Sequence, residues 1–211
     1  MLIQQEGARD EVYGQTRRFT IVERWGNWLS VRALARHVGE MKGKSVADIG
    51  CGYDALLLRS LLDRVALATL VDLKLAPDLH AAANVRAIEG VLPTALEGIP
   101  DESLDVVICN NVLEHLWEPS VVVAHVRRML KPNGTFFANV PSWRGKFALE
   151  TASFKLNLSP KRELDDHKNY YDARDLWRLV VAGGFKSSGI AVGSHKFGLN
   201  TFAVCRKETA A

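Results

Sequence analysis

A chain of 211 residues with 27 Lys and Arg against 24 Asp and Glu, a formal charge of +3, is long enough for one α/β domain with a buried core and short for two. The basic residues are scattered, which argues against a nucleic-acid partner, and no apolar run approaches the ~18 residues of a bilayer span. Cys51, Cys109 and Cys205 are too few and too far apart for a disulfide framework or metal-ligand spacing, and no signal segment opens the sequence, so a soluble cytoplasmic protein with reduced thiols is expected.

Residues 1–15 are polar without a usable period. Ile21, Trp25, Trp28, Val31, Leu34, Val38 and Met41 then recur at helical spacing, which predicts a long amphipathic helix ending at Gly43. That spacing puts Trp25 and Trp28 in the core, with a place in a substrate wall as the alternative. Residues 1–43 are accordingly expected to pack on a domain spanning 44–211. From Ser45 the pattern alternates: a strand at 45–50, a helix at 54–64, a strand at 66–71, a short helix near 76–82 and a strand at 85–89. Alternation of this kind predicts a parallel sheet with right-handed crossovers.

In the second half, Pro100-Asp-Glu-Ser103 is a turn before the strongly apolar central strand from Leu104 to Cys109. A helix is expected from Pro119 to Leu130, stopped by Lys131-Pro-Asn-Gly134, and a strand from Thr135 to Val140. Asp172 and Asp175 read as the capping box of a last helix that ends at Gly183-Gly184. No helix fits between the strand patterns 185–192 and 201–205, so they should pair as an antiparallel hairpin. The stretch from Pro141 to Tyr171 has little regular pattern but carries Trp143, Phe147, Phe154, His167, Tyr170 and Tyr171, which favours a folded lid or substrate segment.

The segment Val46-Ala-Asp-Ile-Gly-Cys-Gly-Tyr-Asp54 is a strand, a glycine turn and a helix start. Gly50 and Gly52 allow a sharp turn and leave the peptide groups open to a bound molecule, while the following helix aims unpaired amides at it. Gly50-Cys-Gly-Tyr-Asp-Ala55 matches G-x-G-x-x-A, and Asp72 lies about twenty residues on, a pattern shared by NAD and other adenosine cofactors. Asp72 suits either, because one carboxylate can accept both ribose hydroxyls. Asp48 distinguishes them: a carboxylate two residues before the first glycine repels a pyrophosphate and attracts an α-ammonium.

Taken in order, Val46-Ala-Asp-Ile-Gly-Cys-Gly52, Val71-Asp72, Pro100-Asp-Glu-Ser-Leu-Asp-Val-Val107, Val112-Leu-Glu-His-Leu116, Met129-Leu-Lys-Pro-Asn-Gly134 and Gly183-Gly-Phe185 resemble the motifs of class I S-adenosylmethionine-dependent methyltransferases. The resemblance spans roughly residues 44–206. It implies a doubly wound, Rossmann-like α/β fold with a mostly parallel seven-stranded sheet, helices on both faces and a C-terminal antiparallel hairpin. It also implies S-adenosyl-L-methionine as cofactor and S-adenosyl-L-homocysteine as product. By that likeness Asp48, Gly50, Cys51 and Gly52 would surround the methionine end, Asp72 would hold the ribose, Leu73 would pack near the adenine, and Glu89 or Gly90 would serve its amino group. Asn110 would border the sulfonium. Asp54 stands where the family often has a third glycine. It reads first as a helix N-cap, and second as a contact to the cofactor ammonium, directly or through water.

Methyl transfer from a sulfonium needs alignment and exclusion of water more than a protein nucleophile, and a general base only when the acceptor is a hydroxyl. His115 and His167 are the candidate catalytic bases, with Glu114 and Tyr171 behind them; the plain alternatives are a packing histidine and a solvated loop histidine. His37, His80, His125 and His195 show no ligand-like spacing, so no metal is expected. The acceptor is expected to be a small or medium molecule such as a sugar, a lipid-linked compound or a secondary metabolite. A non-catalytic cofactor-binding scaffold and an NAD-dependent oxidoreductase are the rivals.

Overall fold

The computed structural model describes residues 13–15, 21–147 and 168–209. The helix α1 covers Ile21–Val38, followed by β1 (Ser45–Ile49), α2 (Leu56–Arg59), β2 (Leu67–Asp72), α3 (Pro77–Ala81), β3 (Val85–Glu89), β4 (Leu104–Asn110), α4 (Pro119–Met129), β5 (Leu130–Pro141), α5 (Ala173–Ala182), β6 (Ile190–His195) and β7 (Asn200–Arg206). Short 3-10 turns at Thr94–Leu96, Leu113–His115 and Ser187–Gly189 join them.

The seven strands form one sheet in the order β3-β2-β1-β4-β5-β7-β6. Strands β1 to β5 pair in parallel, while β7 runs antiparallel between β5 and β6. The expected hairpin and doubly wound sheet are therefore present. The two faces are legible in single strands: in β4, Val106 and Ile108 pack with Leu34 of α1, Leu58 of α2 and Leu79 of α3. Val107 and Cys109 pack on the other face with Val126 of α4 and Val180 of α5. Such alternation is the period-two consequence of the pleat, with both faces covered because crossover helices lie on each. At the head of α5, Asp172 accepts from the amides of Arg174 and Asp175 at 2.8 and 2.9 Å, and Asp175 returns the bond to the Asp172 amide, so the expected capping box forms.

Three expectations need correction. Helix α1 stops at Val38, not Gly43, because Gly39 turns left-handed (φ +81°) and donates its amide to the Ala35 carbonyl. Trp25 and Trp28 face outward, 52% and 50% exposed, because Ser30, Ala33 and Leu34 carry the buried stripe of that helix instead. The expected helix 54–64 contracts to the single turn Leu56–Arg59, and Asp54 does not cap it: the N-cap is Ala55, held at φ +47°, with no side-chain cap bond. Asp54 instead meets Arg59, whose Nε donates to the Asp54 carbonyl at 2.8 Å and whose guanidinium lies 3.8 Å from the carboxylate. Among the described residues no helix is long and apolar enough to cross a membrane.

Candidate functional site

Parallel strands all end on the same side, and here the ends of β1, β2, β3, β4 and β5 collect the polar residues that the strands could not bury. Gly50 (φ +68°) and Gly52 (φ +75°) make the turn after β1. The Gly50 and Cys51 amides both donate to the Val71 carbonyl, at 2.7 and 3.3 Å, which folds the turn back over β2. A Cβ on Gly50 would stand 2.3 Å from Val112 Cγ2, so glycine is required there by close approach as well as by φ.

Asp72 fixes the turn from the neighbouring strand. Its Oδ2 accepts the Gly52 amide at 2.7 Å and its Oδ1 accepts the Leu73 amide at 2.7 Å. A carboxylate oxygen has two acceptor directions, so the group that holds the turn can receive hydroxyl bonds beside its amide bonds. Glu89, paired in register with Asp72, is drawn aside: it accepts the Leu75 amide at 2.8 Å and bonds His80 Nε2 at 3.1 Å. The Gly90 amide donates to the Asp72 carbonyl at 3.0 Å. Glu89, Gly90, Leu73 and Asp72 thus gather at one corner, as expected, although Glu89 is tied to His80, a partner that sequence spacing did not suggest.

Asp48 is 1% exposed, and its Oδ2 has no hydrogen-bond partner among the described residues. Burial, then the nearby charge of Asp72, pushes its carboxyl up to about 8. An unpaired buried carboxylate beside a second acid is costly alone and becomes favourable once a cation arrives. An α-ammonium needs such acceptors, and the site fits a methionine-bearing nucleoside far better than a dinucleotide phosphate. Cys51 is half-buried, and burial raises its thiol well above its ordinary value, so it is an inert neighbour of the turn.

At the ends of β4 and β5, Asn110 belongs to an amide cluster whose other members sequence reading missed. Asn139 of β5 donates to Asn110 Oδ1 at 2.9 Å and to Asn111 Oδ1 at 3.3 Å, and Asn200 of β7 donates to Asn111 Oδ1 at 3.3 Å. Asn139 is fully buried, and its Oδ1 has no partner among the described residues. Asn111 adopts φ +56°, a conformation asparagine tolerates better than most residues. The available signal was three asparagines at the ends of strongly apolar strands, where a leucine would have met core needs better.

His115 closes the 3-10 turn Leu113–His115 directly after this cluster and is half-buried. His167 and Phe154 lie outside the described residues. The amides of Lys168 and Asn169 both donate to the Glu114 carbonyl, at 2.7 and 3.0 Å. The adjoining Tyr171 hydroxyl donates to the Leu113 carbonyl at 3.3 Å. Glu114 is fully buried, and its charge partly offsets the burial that pushes Lys196, at the β6–β7 turn, down to about 8. Two features of the N-terminal region were also missed. Tyr13 lies over the glycine turn and accepts the Tyr53 amide at 3.0 Å, and Trp25 stacks on Phe197 with ring centroids 6.5 Å apart.

The mouth of the cleft is clamped. Ser142 Oγ donates to the Gly198 carbonyl at 2.7 Å, its amide donates to the Leu199 carbonyl at 3.0 Å, and the Gly145 amide donates to Ser142 Oγ at 3.0 Å. A Cβ on Gly145 would lie 2.1 Å from the Leu199 carbonyl oxygen. Gly145→Ala is therefore expected to cost about 1–3 kcal/mol by overpacking against backbone. Urea unfolding should show a lower midpoint at unchanged slope, and an unchanged midpoint would show that the two loops part freely.

A parallel sheet ending in an acid-held glycine turn, with a buried carboxylate able to receive a cation, defines a nucleoside-cofactor-binding protein of the Rossmann-like class. A family profile described as a methyltransferase domain matches residues 47–138. The ubiquinone biosynthesis O-methyltransferase of Photobacterium profundum is 32% identical over 163 residues, covering 73% of this chain and 68% of that protein. The fold is shared with a putative methyltransferase solved in complex with the Trm112 activator of Haloferax volcanii (TM-score 0.68, 16% identity, covering 88% of this chain and 92% of that one). It is shared also with a Haemonchus contortus phosphoethanolamine N-methyltransferase 2 solved with S-adenosylhomocysteine (TM-score 0.62, 16% identity, covering 87% and 54%). The chain belongs to the class I S-adenosylmethionine-dependent methyltransferases. It spans about two thirds of the length of the O-methyltransferase relative.

Proposed function

We propose that this methyltransferase acts on an oxygen of a small acceptor, in the cytoplasm. The observation that carries the assignment of the cofactor pole is the buried Asp48 oxygen without a partner beside the Asp72-held glycine turn. Oxygen as the accepting atom is supported by the relative's name, an O-methyltransferase of ubiquinone biosynthesis. Three free cysteines support a reducing compartment.

When bound, S-adenosylmethionine supplies a methyl group on a sulfonium, which an acceptor oxygen takes as the S–C bond breaks and its electron pair stays on sulfur. The chain's residues bind, orient and exclude water. Asp48 would hold the ammonium, and the backbone of Gly50, Cys51 and Gly52 would follow the methionine portion, with Asp54 beside the turn and facing Arg59. Asp72 accepts the ribose hydroxyls. Leu73 packs on the adenine, with Gly90 and Glu89 near its amino group. Asn110, oriented by Asn139, borders the reacting centre. His115 takes the proton that the acceptor hydroxyl loses, with His167 the second candidate for that role. Of the segment 141–171, the described residues 141–147 and 168–171 lie on the acceptor side of the domain, on which α1 packs.

Calorimetric titration tests the reading: S-adenosylhomocysteine should bind and NAD should not, and release of S-adenosylhomocysteine should depend on an added hydroxyl acceptor. Asp72→Ala should weaken nucleoside binding about tenfold or more, at ~1.4 kcal/mol per decade. Unchanged affinity would remove Asp72 from the ribose site, and binding of NAD alone would sink the proposal.

A further inference from the structure

Five residues line an open cleft of about 550 Å³: Trp143, Arg144 and Phe147 from the helical segment after β5, and Phe197 and Leu199 from the β6–β7 turn. The volume is in the range of small-molecule sites, ~300–1,000 Å³. Its walls are aromatic and unusually open to water: Phe197 is 87% exposed and Phe147 74%. Lys196 (φ +53°) and Phe197 (φ +59°) are the two left-handed residues of the tight turn that closes the β6–β7 hairpin, with the Gly198 amide donating to the His195 carbonyl at 3.1 Å. The bonding of Ser142 to Gly198 and Leu199 fixes that turn against the segment after β5.

Among the described residues no acid lines the cleft, and Arg144 pairs with no carboxylate. Lys146 stands 5.5 Å over the Trp143 ring and 5.3 Å over the Tyr170 ring, outside the lining. The cleft lies at the same edge of the sheet as the asparagine cluster, where β5 ends at Pro141 and β7 begins at Asn200. Leu199 of its lining is followed by Asn200, which bonds Asn111, and Asn111 shares Asn139 with Asn110.

We propose that this cleft is the subsite for the non-reacting part of the methyl acceptor, and that it takes an amphiphilic acid: an apolar ring or chain against Trp143, Phe147 and Phe197, with a carboxylate or phosphate on Arg144. The inference rests on the methyltransferase reading above. A guanidinium binds either anion through paired N–H donors, and the aromatic faces reject a fully polar ligand by leaving its hydrogen bonds unmade.

The test uses octanoate, octyl phosphate, 1-octanol, acetate and inorganic phosphate as probes, titrated into the whole chain with and without saturating S-adenosylhomocysteine and followed by tryptophan fluorescence and calorimetry. Octanoate or octyl phosphate should bind at least tenfold more tightly than octanol and than the short anions, and the stronger of the two identifies the acidic group. Arg144→Gln should abolish the preference for the acids while leaving octanol binding unchanged, Arg144→Lys should retain part of it, and Phe197→Ser should weaken every octyl probe. Affinity for S-adenosylhomocysteine should stay within twofold in all three variants. Equal binding of acids and octanol, indifference to Arg144→Gln, or binding of phosphatidylglycerol vesicles without any soluble probe would each overturn the proposal. Failure of the wild-type chain to bind S-adenosylhomocysteine is a separate result: it refutes the cofactor reading, and with it the acceptor role of the cleft, even where the probes still bind.

Discussion

Asp48→Asn is expected to weaken cofactor binding by about 2–4 kcal/mol, roughly thirtyfold to several hundredfold, because it removes the buried partner of an ammonium and keeps the shape. The same substitution should change the pH dependence of the protein in two opposite ways. In the free wild-type chain Asp48 titrates at about 8, above its ordinary value of 3.8, so between those limits the folded state holds a proton that the unfolded state has released. Stability therefore falls as pH rises through that window and levels off above about 8. Asparagine has no such term, so the variant's melting temperature should exceed that of the wild type by a margin that grows from pH 5 to pH 8. Binding runs the other way: an arriving ammonium requires the carboxylate, so wild-type affinity rises with pH toward 8 and a proton is released. Calorimetry in buffers of different ionisation enthalpy measures that proton. Its absence, with affinity flat in pH, would show that Asp48 is not the ammonium partner.

Gly50→Ala is expected to destabilise the fold by roughly 2–4 kcal/mol, from two additive causes. An alanine at φ +68° meets the left-handed steric penalty, and its Cβ would stand 2.3 Å from Val112 Cγ2. Only the second cause involves Val112, which the loop after β4 holds against the turn. A double-mutant cycle with Val112→Ala should accordingly return a coupling of about 1 kcal/mol or more, while the φ penalty survives in the double variant. Additive effects would mean that the turn relaxes away from Val112, leaving only the φ penalty on stability, and cofactor affinity would then fall in the single variant.

The glycine turn, Asp48, Asp72, the strand succession and the C-terminal hairpin were legible from sequence because each depends on local physics. Apolar period two marks a strand, glycine marks a left-handed turn, and an acid at a strand end is costly to bury without a partner. The capping box at Asp172 and Asp175 belongs with them, since its bonds span three residues. Long-range competition governed what was missed. Trp25 and Trp28 match the helical stripe as well as Leu34 does, and only the position of the sheet selects which residues it buries. Asp54 is a good cap by type, yet left-handed Ala55 starts the helix one residue later and leaves the carboxylate with Arg59.

Family and cofactor pole can be read from chain order, because they reside in a contiguous turn and an ordered set of short motifs. Of the proposed acceptor side, chain order shows Asn110 and the aromatic stretch from Trp143 but not what meets them. Asn110, Asn139 and Asn200 come from three strands, and Arg144 meets Phe197 only where β7 inserts between β5 and β6. Residues tens of positions apart share no local signal: parallel pairing of β4 with β5 joins Asn110 to Asn139, and antiparallel insertion of β7 brings Asn200 and the Phe197 turn to them.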